Sequence, residues 1–365
     1  MNDKIKISKN FLVSDWINLR SKLFESEDNW PKALEVFEER INSRFIEPIE
    51  MIKKNGKNEG EGFTIALISV VLLEFLAAFE LGKIYKTNKE GISPHEYYSG
   101  IKLLKSFLSN SADFSPQFDS NNKIQKFYEN IRCGLVHEAR TMRNDVIISN
   151  DSVKNTRREL FYFAENGENR LNRDLFLEKI KEHISNYKVR ILEFNSHLRN
   201  RFILKMDEIS GLKHVWYFIY GSNLCEKQLN HRLNNLNDKY LSKHICLLND
   251  YQFTYNKLSV DGSSKGNLVK KPNSTVQGIA ILLLESTLDT FILNYEQGYI
   301  KKELIVSFEN AEIIDSKLNF KAYTCISENT TFNAPAKEYV SKIVNGARAN
   351  NLNEEYILNN LIYVN

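Results

Sequence analysis

The chain has 365 residues, of which 42% are hydrophobic and 26% are charged, and its formal net charge is +3. This length exceeds one ordinary hydrophobic core, so the sequence predicts two domains of a folded globular protein. Because the charges are nearly balanced on both sides of residue 209, composition argues against a strongly basic nucleic-acid-binding domain. A local basic cluster stays open.

The cysteine and histidine patterns argue against disulfide bonds and against a metal site. The four cysteines are widely spaced and form no CxxC pair, which disfavours disulfides and a structural zinc site. None of the seven histidines belongs to an HxxxH or HExxH pattern. We therefore predict no metal site.

The N-terminal sequence MNDKIKISKN lacks the apolar core of a signal peptide. The most apolar stretch, residues 63–81, is interrupted by Glu74 and Glu80, and its charge-free run is shorter than the roughly 18 residues of a membrane span. It predicts a buried core helix of a cytoplasmic protein with no membrane partner. An acid buried there should be paired, and Arg132 is a candidate partner for Glu74. Since six residues separate the two acids, at least one is expected to be exposed.

Residues 1–210 are predicted to form a helical domain. Apolar residues recur every three to four positions over residues 30–54, as on one face of an amphipathic helix that Pro48 should kink or end. The same periodicity predicts a helix from about residue 123 and one long helix over 172–206, ending at Ser210-Gly211. Two β-prone runs, 145–149 and 160–163, predict a small hairpin.

Within this helical region Arg132 and His137 are separated by four residues. This spacing resembles the R-x4–6-H motif of HEPN domains, which are helical bundles and often metal-independent ribonucleases. The resemblance implies that His137 acts on a ribose 2′-hydroxyl and that Arg132 stabilises the phosphate, in the cleft of a homodimer held by residues 1–210. RNA is then the partner. A helix-surface arginine with a capping or packed histidine explains the pair equally well.

Residues 211–365 show a different pattern, with strands and helices mixed, which predicts an α+β domain. The strand-like runs are rich in β-branched and aromatic residues and lie at 214–220, 251–258, 276–284, 304–308 and 321–326. Helical patterns occur at 225–232, 286–295, 336–349 and 353–361.

The first strand of this region ends in Tyr220, Gly221, Ser222 and Asn223. Such a turn can aim consecutive backbone N–H groups at a carboxylate, or it can simply cap the following helix. It is followed by a tyrosine-rich strand, by the turn Glu296-Gln-Gly-Tyr, and by a tail with the patterns P-x-x-x-Y, I-x-x-G-A and L-x-x-x-Y. In this order, from Val215 to the end, the segments resemble the γ-glutamylcyclotransferase-like family.

The resemblance implies a mixed β-barrel that cyclises a γ-glutamyl compound to 5-oxoproline and releases an amine, without a metal or organic cofactor. The residues 220–223 match the loop that holds the glutamyl end of the substrate. Glu296 matches the catalytic acid/base, and Tyr299 matches the tyrosine that follows it. Gln297 stands before Gly298, whereas the family usually has glycine directly after the glutamate.

The chemistry of this reaction needs these groups. The α-amine of a γ-glutamyl compound is its own nucleophile, but with a reference pKa of about 8 it is mostly an unreactive ammonium at neutral pH. A carboxylate in a partly apolar pocket can take the proton and pass it to the leaving amine. Binding the substrate carboxylate orients the amine against the carbonyl carbon.

Three functions remain open from the sequence. The first is the γ-glutamyl-cyclising enzyme. The second is an RNA-cleaving effector in bacterial stress or phage defence, with the C-terminal pocket as sensor or modifier. The third is a scaffold in which both sites have decayed.

Overall fold

The computed structural model describes residues 4–56, 59–89, 92–150, 159–163, 167–309 and 319–363. The chain divides into two compact units. The helical unit contains residues 1–85 and 97–210, and the barrel unit contains residues 86–96 and 211–365. The short segment 86–96 thus groups with the barrel, although the chain on both sides of it belongs to the helical unit.

The helical unit is built around one long apolar helix. Its helices are α1 (Val13–Lys22), α2 (Trp30–Ile41), α3 (Glu47–Asn55), α4 (Glu61–Leu81), α5 (Gly100–Asn110), α6 (Asn121–Lys126), α7 (Gly134–Glu138), α8 (Arg173–Leu192) and α9 (Ser196–Ile209). Helix α4 packs against α3, α5, α7, α8 and α9. It is long and apolar enough to cross a membrane, as core helices of soluble proteins also are, and more than half of its most apolar window is buried.

Pro48 is accommodated without a break in the helical path. It lies in the first turn of α3, where proline is best tolerated in a helix. The π-helical turn Asn42–Ile46 stands between α2 and α3, and such wider turns are a common way to absorb an irregularity. Pro48 therefore does not end the helix, since α3 continues to Asn55, and the kink stays a prediction.

The prediction of one helix over 172–206 is wrong. The chain forms α8 and α9, separated where Phe194 adopts a left-handed φ of 66°. Asn195 then caps α9, because its side chain accepts the Leu198 N–H at 3.0 Å. The apolar periodicity continues through this break and conceals it.

The predicted hairpin between 145–149 and 160–163 is also wrong. Strands β3 (Val146–Ile148) and β4 (Phe161–Tyr162) form, but they do not pair with each other. Both pair with β5 (Arg170–Asn172), β3 in parallel and β4 antiparallel. Opposed Phe161 and Leu171 are fully buried, so core packing selects a central strand that the local pattern does not indicate.

The barrel unit confirms the predicted barrel-like sheet. Two short strands, β1 (Ile84–Tyr85) and β2 (Glu96–Tyr97), lie at the ends of segment 86–96. The barrel strands are β6 (His214–Ile219), β7 (Ser242–Leu258), β8 (Ser264–Leu284), β9 (Ile300–Phe308) and β10 (Asn319–Ile326). They close in the order β10-β6-β8-β7-β9, and among the described residues the β10–β6 pair is parallel and the other four pairs are antiparallel. The helices are α10 (Glu226–Asn234), α11 (Glu285–Tyr295), α12 (Lys337–Ala349) and α13 (Glu354–Tyr356).

Strands β7 and β8 form a long hairpin whose register shifts twice, once between Tyr255 and Lys257. There Asn256 is the extra residue, since Tyr255 and Lys257 face the adjacent Gly266 and Lys265. A bulge of this kind redirects the side chains beside it. It sets the direction of Lys257.

Candidate active site

The loop from Tyr220 to Asn223 connects the buried strand β6 to α10. Its start is anchored because the buried Tyr220 hydroxyl donates to the backbone carbonyl of Cys325 in β10. Residues Ser222–Leu224 form one 3₁₀ turn. The N–H groups of Ser222 and Asn223 form no hydrogen bond with another described residue, as at the start of a helix. They are free to bind a ligand.

Glu296 directly follows α11 and begins a tight turn. The Tyr299 N–H donates to the Glu296 carbonyl at 3.2 Å, and Gly298 has a φ of +76°. This is the arrangement of a turn that needs glycine at its third position. Gln297 therefore takes the second position, so the turn closes with the extra residue in place.

The loop and the turn meet through a hydrogen bond. The Asn223 Nδ2 donates to Glu296 Oε1 at 2.7 Å. The Asn223 Oδ1 accepts from Arg232 Nη1 at 2.8 Å and from Gln228 Nε2 at 3.1 Å. These two donors fix the orientation of the amide, so its nitrogen faces the carboxylate. Glu296 Oε2 has no hydrogen-bond partner among the described residues, and this oxygen is available for a proton.

Burial and the neighbouring positive charges act in opposite directions on the pKa of Glu296. Its side chain is only 13% exposed, and this burial raises the pKa of the carboxyl. Arg232, 3.2 Å away, opposes the rise. The hydrogen bond from Asn223 and the charge of Lys257 also oppose it, but the net direction is upward. A carboxyl with a raised pKa is suited to exchanging protons near neutral pH.

Two tyrosines of the site hold the backbone of Gly266 through their hydroxyl groups. The Tyr299 hydroxyl donates to the Gly266 carbonyl at 2.6 Å. The Tyr339 hydroxyl accepts the Gly266 N–H at 3.0 Å. Burial, with Glu296 adding to it, raises the pKa of Tyr339 to about 12. Tyr339 therefore stays protonated near neutral pH and keeps its O–H as a donor.

Sequence reasoning missed four residues of this site: Gln228, Arg232, Lys257 and Tyr339. Gln228 and Arg232 lie four apart on α10, immediately after the loop, and such spacing places both side chains on one helix face. That signal is readable from the sequence. Tyr339 belongs to the tail pattern without an assigned role, whereas Lys257 depends on the bulge at Asn256.

The structure also describes Arg132 and His137, the predicted catalytic residues of the helical unit, and the two acids of helix α4. Arg132 makes two hydrogen bonds to Glu74, at 2.8 and 3.1 Å, as expected for that acid. Arg190 does the same for Glu80, at 2.6 and 2.7 Å. The expectation that one acid is exposed is wrong, because their side chains are 19% and 17% exposed. His137 is exposed near the end of α7.

No family model and no curated protein matches the chain. A solved gamma-glutamyl cyclotransferase is similar at a TM-score of 0.36 and 20% identity, over 42% of this chain and 90% of that one. An uncharacterized protein from Homo sapiens is similar at 0.35 and 21%, over 42% and 89%. A yeast gamma-glutamyl cyclotransferase specific to glutathione follows at 0.30 and 10%, over 39% and 90%. Since these TM-scores are below 0.5, the function has to be inferred from the chain's own site.

Proposed function

We propose that the barrel unit cyclises γ-glutamyl compounds to 5-oxoproline, with Glu296 as the general acid/base. One observation carries the proposal. A mostly buried carboxyl is held through one oxygen by Asn223, while its other oxygen is without a partner among the described residues. The raised pKa of Glu296 suits a group that first accepts a proton and then donates it.

The reaction proceeds by proton transfer and ring closure. Glu296 Oε2 takes a proton from the substrate α-ammonium, and the freed amine nitrogen attacks the γ-carbonyl carbon. A carbon–nitrogen bond of the five-membered ring forms, and the bond to the leaving nitrogen breaks. The proton on Glu296 passes to that leaving nitrogen, so the carboxylate is regenerated. The ring nitrogen loses its one remaining extra proton to solvent, and the released amine takes up a proton from solvent to become an ammonium. Asn223 and Arg232 hold the carboxylate in place during both transfers.

The Tyr220–Asn223 loop binds the glutamyl end of the substrate in this proposal. The unpartnered N–H groups of Ser222 and Asn223 are donors for a carboxylate. Because Gly221 has no side chain, it leaves open space at the loop. The Tyr339 hydroxyl lies 3.8 Å from the position that a Cβ on Gly221 would occupy. Fixing this end brings the amine towards the carbonyl carbon.

The direct test is release of 5-oxoproline by the full chain from a panel of γ-glutamyl amino acids, γ-glutamyl amines and glutathione. Turnover of at least one member is expected. If no member is turned over and none binds by calorimetry, the pocket is not a γ-glutamyl site. Binding without turnover favours the sensor alternative. The first variant to assay is then a deletion of Gln297, which places glycine directly after Glu296.

The ribonuclease and homodimer interpretations of the helical unit remain predictions. Arg132 is engaged by Glu74 through Nε and Nη2, so most of its guanidinium is paired without a phosphate. We therefore place the function of the chain in the barrel unit.

A further inference from the structure

Lys257 is a mostly buried lysine whose charge acts on Glu296. Its residue is 9% exposed, and its Nζ forms no hydrogen bond or ion pair with any residue in the described part of the chain. The ammonium lies 5.0 Å from the centre of the Tyr299 ring. It is also 3.3 Å from the position that a Cβ on Gly298 would occupy. Lys257 thus faces the turn that carries the catalytic glutamate.

An ammonium in this environment lacks the anion that usually accompanies it. Burial lowers the pKa of Lys257, and the charge of Glu296 only partly opposes this effect. A buried charge is costly unless it is paired. Several other lysines of the barrel unit do have partners, such as Lys243 with Asn350 and Lys301 with Asp289. The fold therefore keeps an energetically unfavourable buried charge at Lys257, in a place where a ligand can supply the missing anion.

We propose that Lys257 binds a carboxylate of the γ-glutamyl substrate, an inference that rests on the function proposed above. Arg232 is the other cation of the site, but its Nη1 already donates to Asn223 and Glu296. Every γ-glutamyl compound carries an α-carboxylate, and γ-glutamyl amino acids carry a second one on the leaving part. With Arg232 and Glu296 offsetting each other, Lys257 leaves the site positive and so complementary to an anionic substrate.

Matched substrates identify the carboxylate. We would compare γ-glutamyl-alanine with two analogues, one amidated at the glutamyl α-carboxylate and one amidated at the alanine carboxylate. Each is assayed with the wild type, with Lys257→Met, which keeps the length of the side chain, and with Lys243→Met. Lys243 lies in the same strand, but its Nζ hydrogen bonds to Asn350 and Glu226 and to none of the residues assigned to the site. Circular dichroism verifies that each variant folds.

A charge-assisted contact gives a clear expectation. Amidation of the contacted carboxylate should lower kcat/KM about 10- to 100-fold in the wild type and in Lys243→Met, but less than about threefold in Lys257→Met. The comparison is the ratio of kcat/KM for the unamidated and the amidated substrate within each protein. Any general effect of Lys257 on the pKa of Glu296 cancels in this ratio, because it is the same for all three substrates. Whichever analogue shows the difference identifies the carboxylate. If neither amidation is less harmful in Lys257→Met, the inference is overturned.

Failure of the proposed function remains distinguishable. If the wild type turns over neither these three substrates nor any member of the γ-glutamyl panel, the cyclisation proposal falls, and binding of glutarate by calorimetry then decides the role of Lys257. A loss of about tenfold or more in affinity in Lys257→Met supports a carboxylate-binding lysine. Equal affinity, or no binding to the wild type, overturns it.

Discussion

Asn223 and Glu296 lie 73 residues apart in the sequence and are joined by a 2.7 Å hydrogen bond from Nδ2 to Oε1. This contact connects the loop after β6 to the turn after α11. It leaves the second oxygen of the carboxylate for proton transfer. The predictions for the barrel unit follow from this arrangement.

Glu296→Gln should alter how stability depends on pH. Because the pKa of Glu296 is raised, the folded protein keeps a proton that the unfolded chain releases above about pH 4.3. The wild-type free energy of unfolding therefore loses a contribution as pH rises towards the raised pKa. Glutamine cannot ionise. Denaturant unfolding between pH 4 and 8 should show the variant gaining stability relative to the wild type across this window, and a relative loss would contradict the assignment.

Arg232→Met should move the acidic limb of the pH profile of kcat/KM to higher pH. The guanidinium lies 3.2 Å from Glu296 and opposes the rise of its pKa, so its removal lets the pKa rise further. Arg232→Lys, which keeps the charge, should move the limb less. Profiles measured for the three proteins provide the check. An unchanged limb in Arg232→Met would mean that Glu296 is not the titrating base.

Gly221→Ala should weaken substrate binding without unfolding the protein. An added Cβ there meets only the Tyr339 hydroxyl, at 3.8 Å, so the fold accepts it, but the methyl group fills space at the binding loop. KM should rise more than kcat falls. Gly278→Ala is the contrasting control, because its Cβ would lie 2.3 Å from the Ile219 carbonyl oxygen and should destabilise the barrel. If Gly221→Ala binds substrate as the wild type does, the loop does not hold it.

Much of the barrel unit is readable from the sequence. Its strands carry β-branched and aromatic runs, and the glycine in the turn after Glu296 marks a position that requires a positive φ. The local sequence pattern does not predict an element whose formation depends on contacts with another part of the chain. Strand β5 exists because Leu171 is buried against Phe161, and no local signal marks it.

The site shows the same division. The loop and Glu296 stand out as sequence motifs, whereas Lys257 does not, since one lysine in a strand is ordinarily exposed. Its burial results from the bulge at Asn256 and from the packing of the turn against it. The end of α8 is a different case. There Asn195 is a recognisable cap, but the periodic apolar residues on both sides suggest one continuous helix.

Arg132 and His137 should differ in what their substitution does. Arg132→Met removes the partner of Glu74, a mostly buried carboxylate, and should cost about 1–3 kcal/mol of stability. His137→Ala changes an exposed side chain and should leave stability within about 0.5 kcal/mol. Thermal unfolding of both variants provides the check. If His137→Ala keeps its fold but abolishes an RNA-cleaving activity of the wild type, the ribonuclease prediction gains its first support.

The central claim is tested by the rate of 5-oxoproline release in three proteins: the wild type, Glu296→Gln and Glu309→Gln. Glu309 is a matched control, because burial also raises its pKa but its partner is Gln277, outside the site. We expect kcat to fall by about 10²–10⁴ in Glu296→Gln, the usual contribution of one general acid–base group. Substrate binding should persist in that variant, and Glu309→Gln should retain wild-type turnover. Turnover by Glu296→Gln at the wild-type rate would contradict the assignment of Glu296 as the catalytic acid/base.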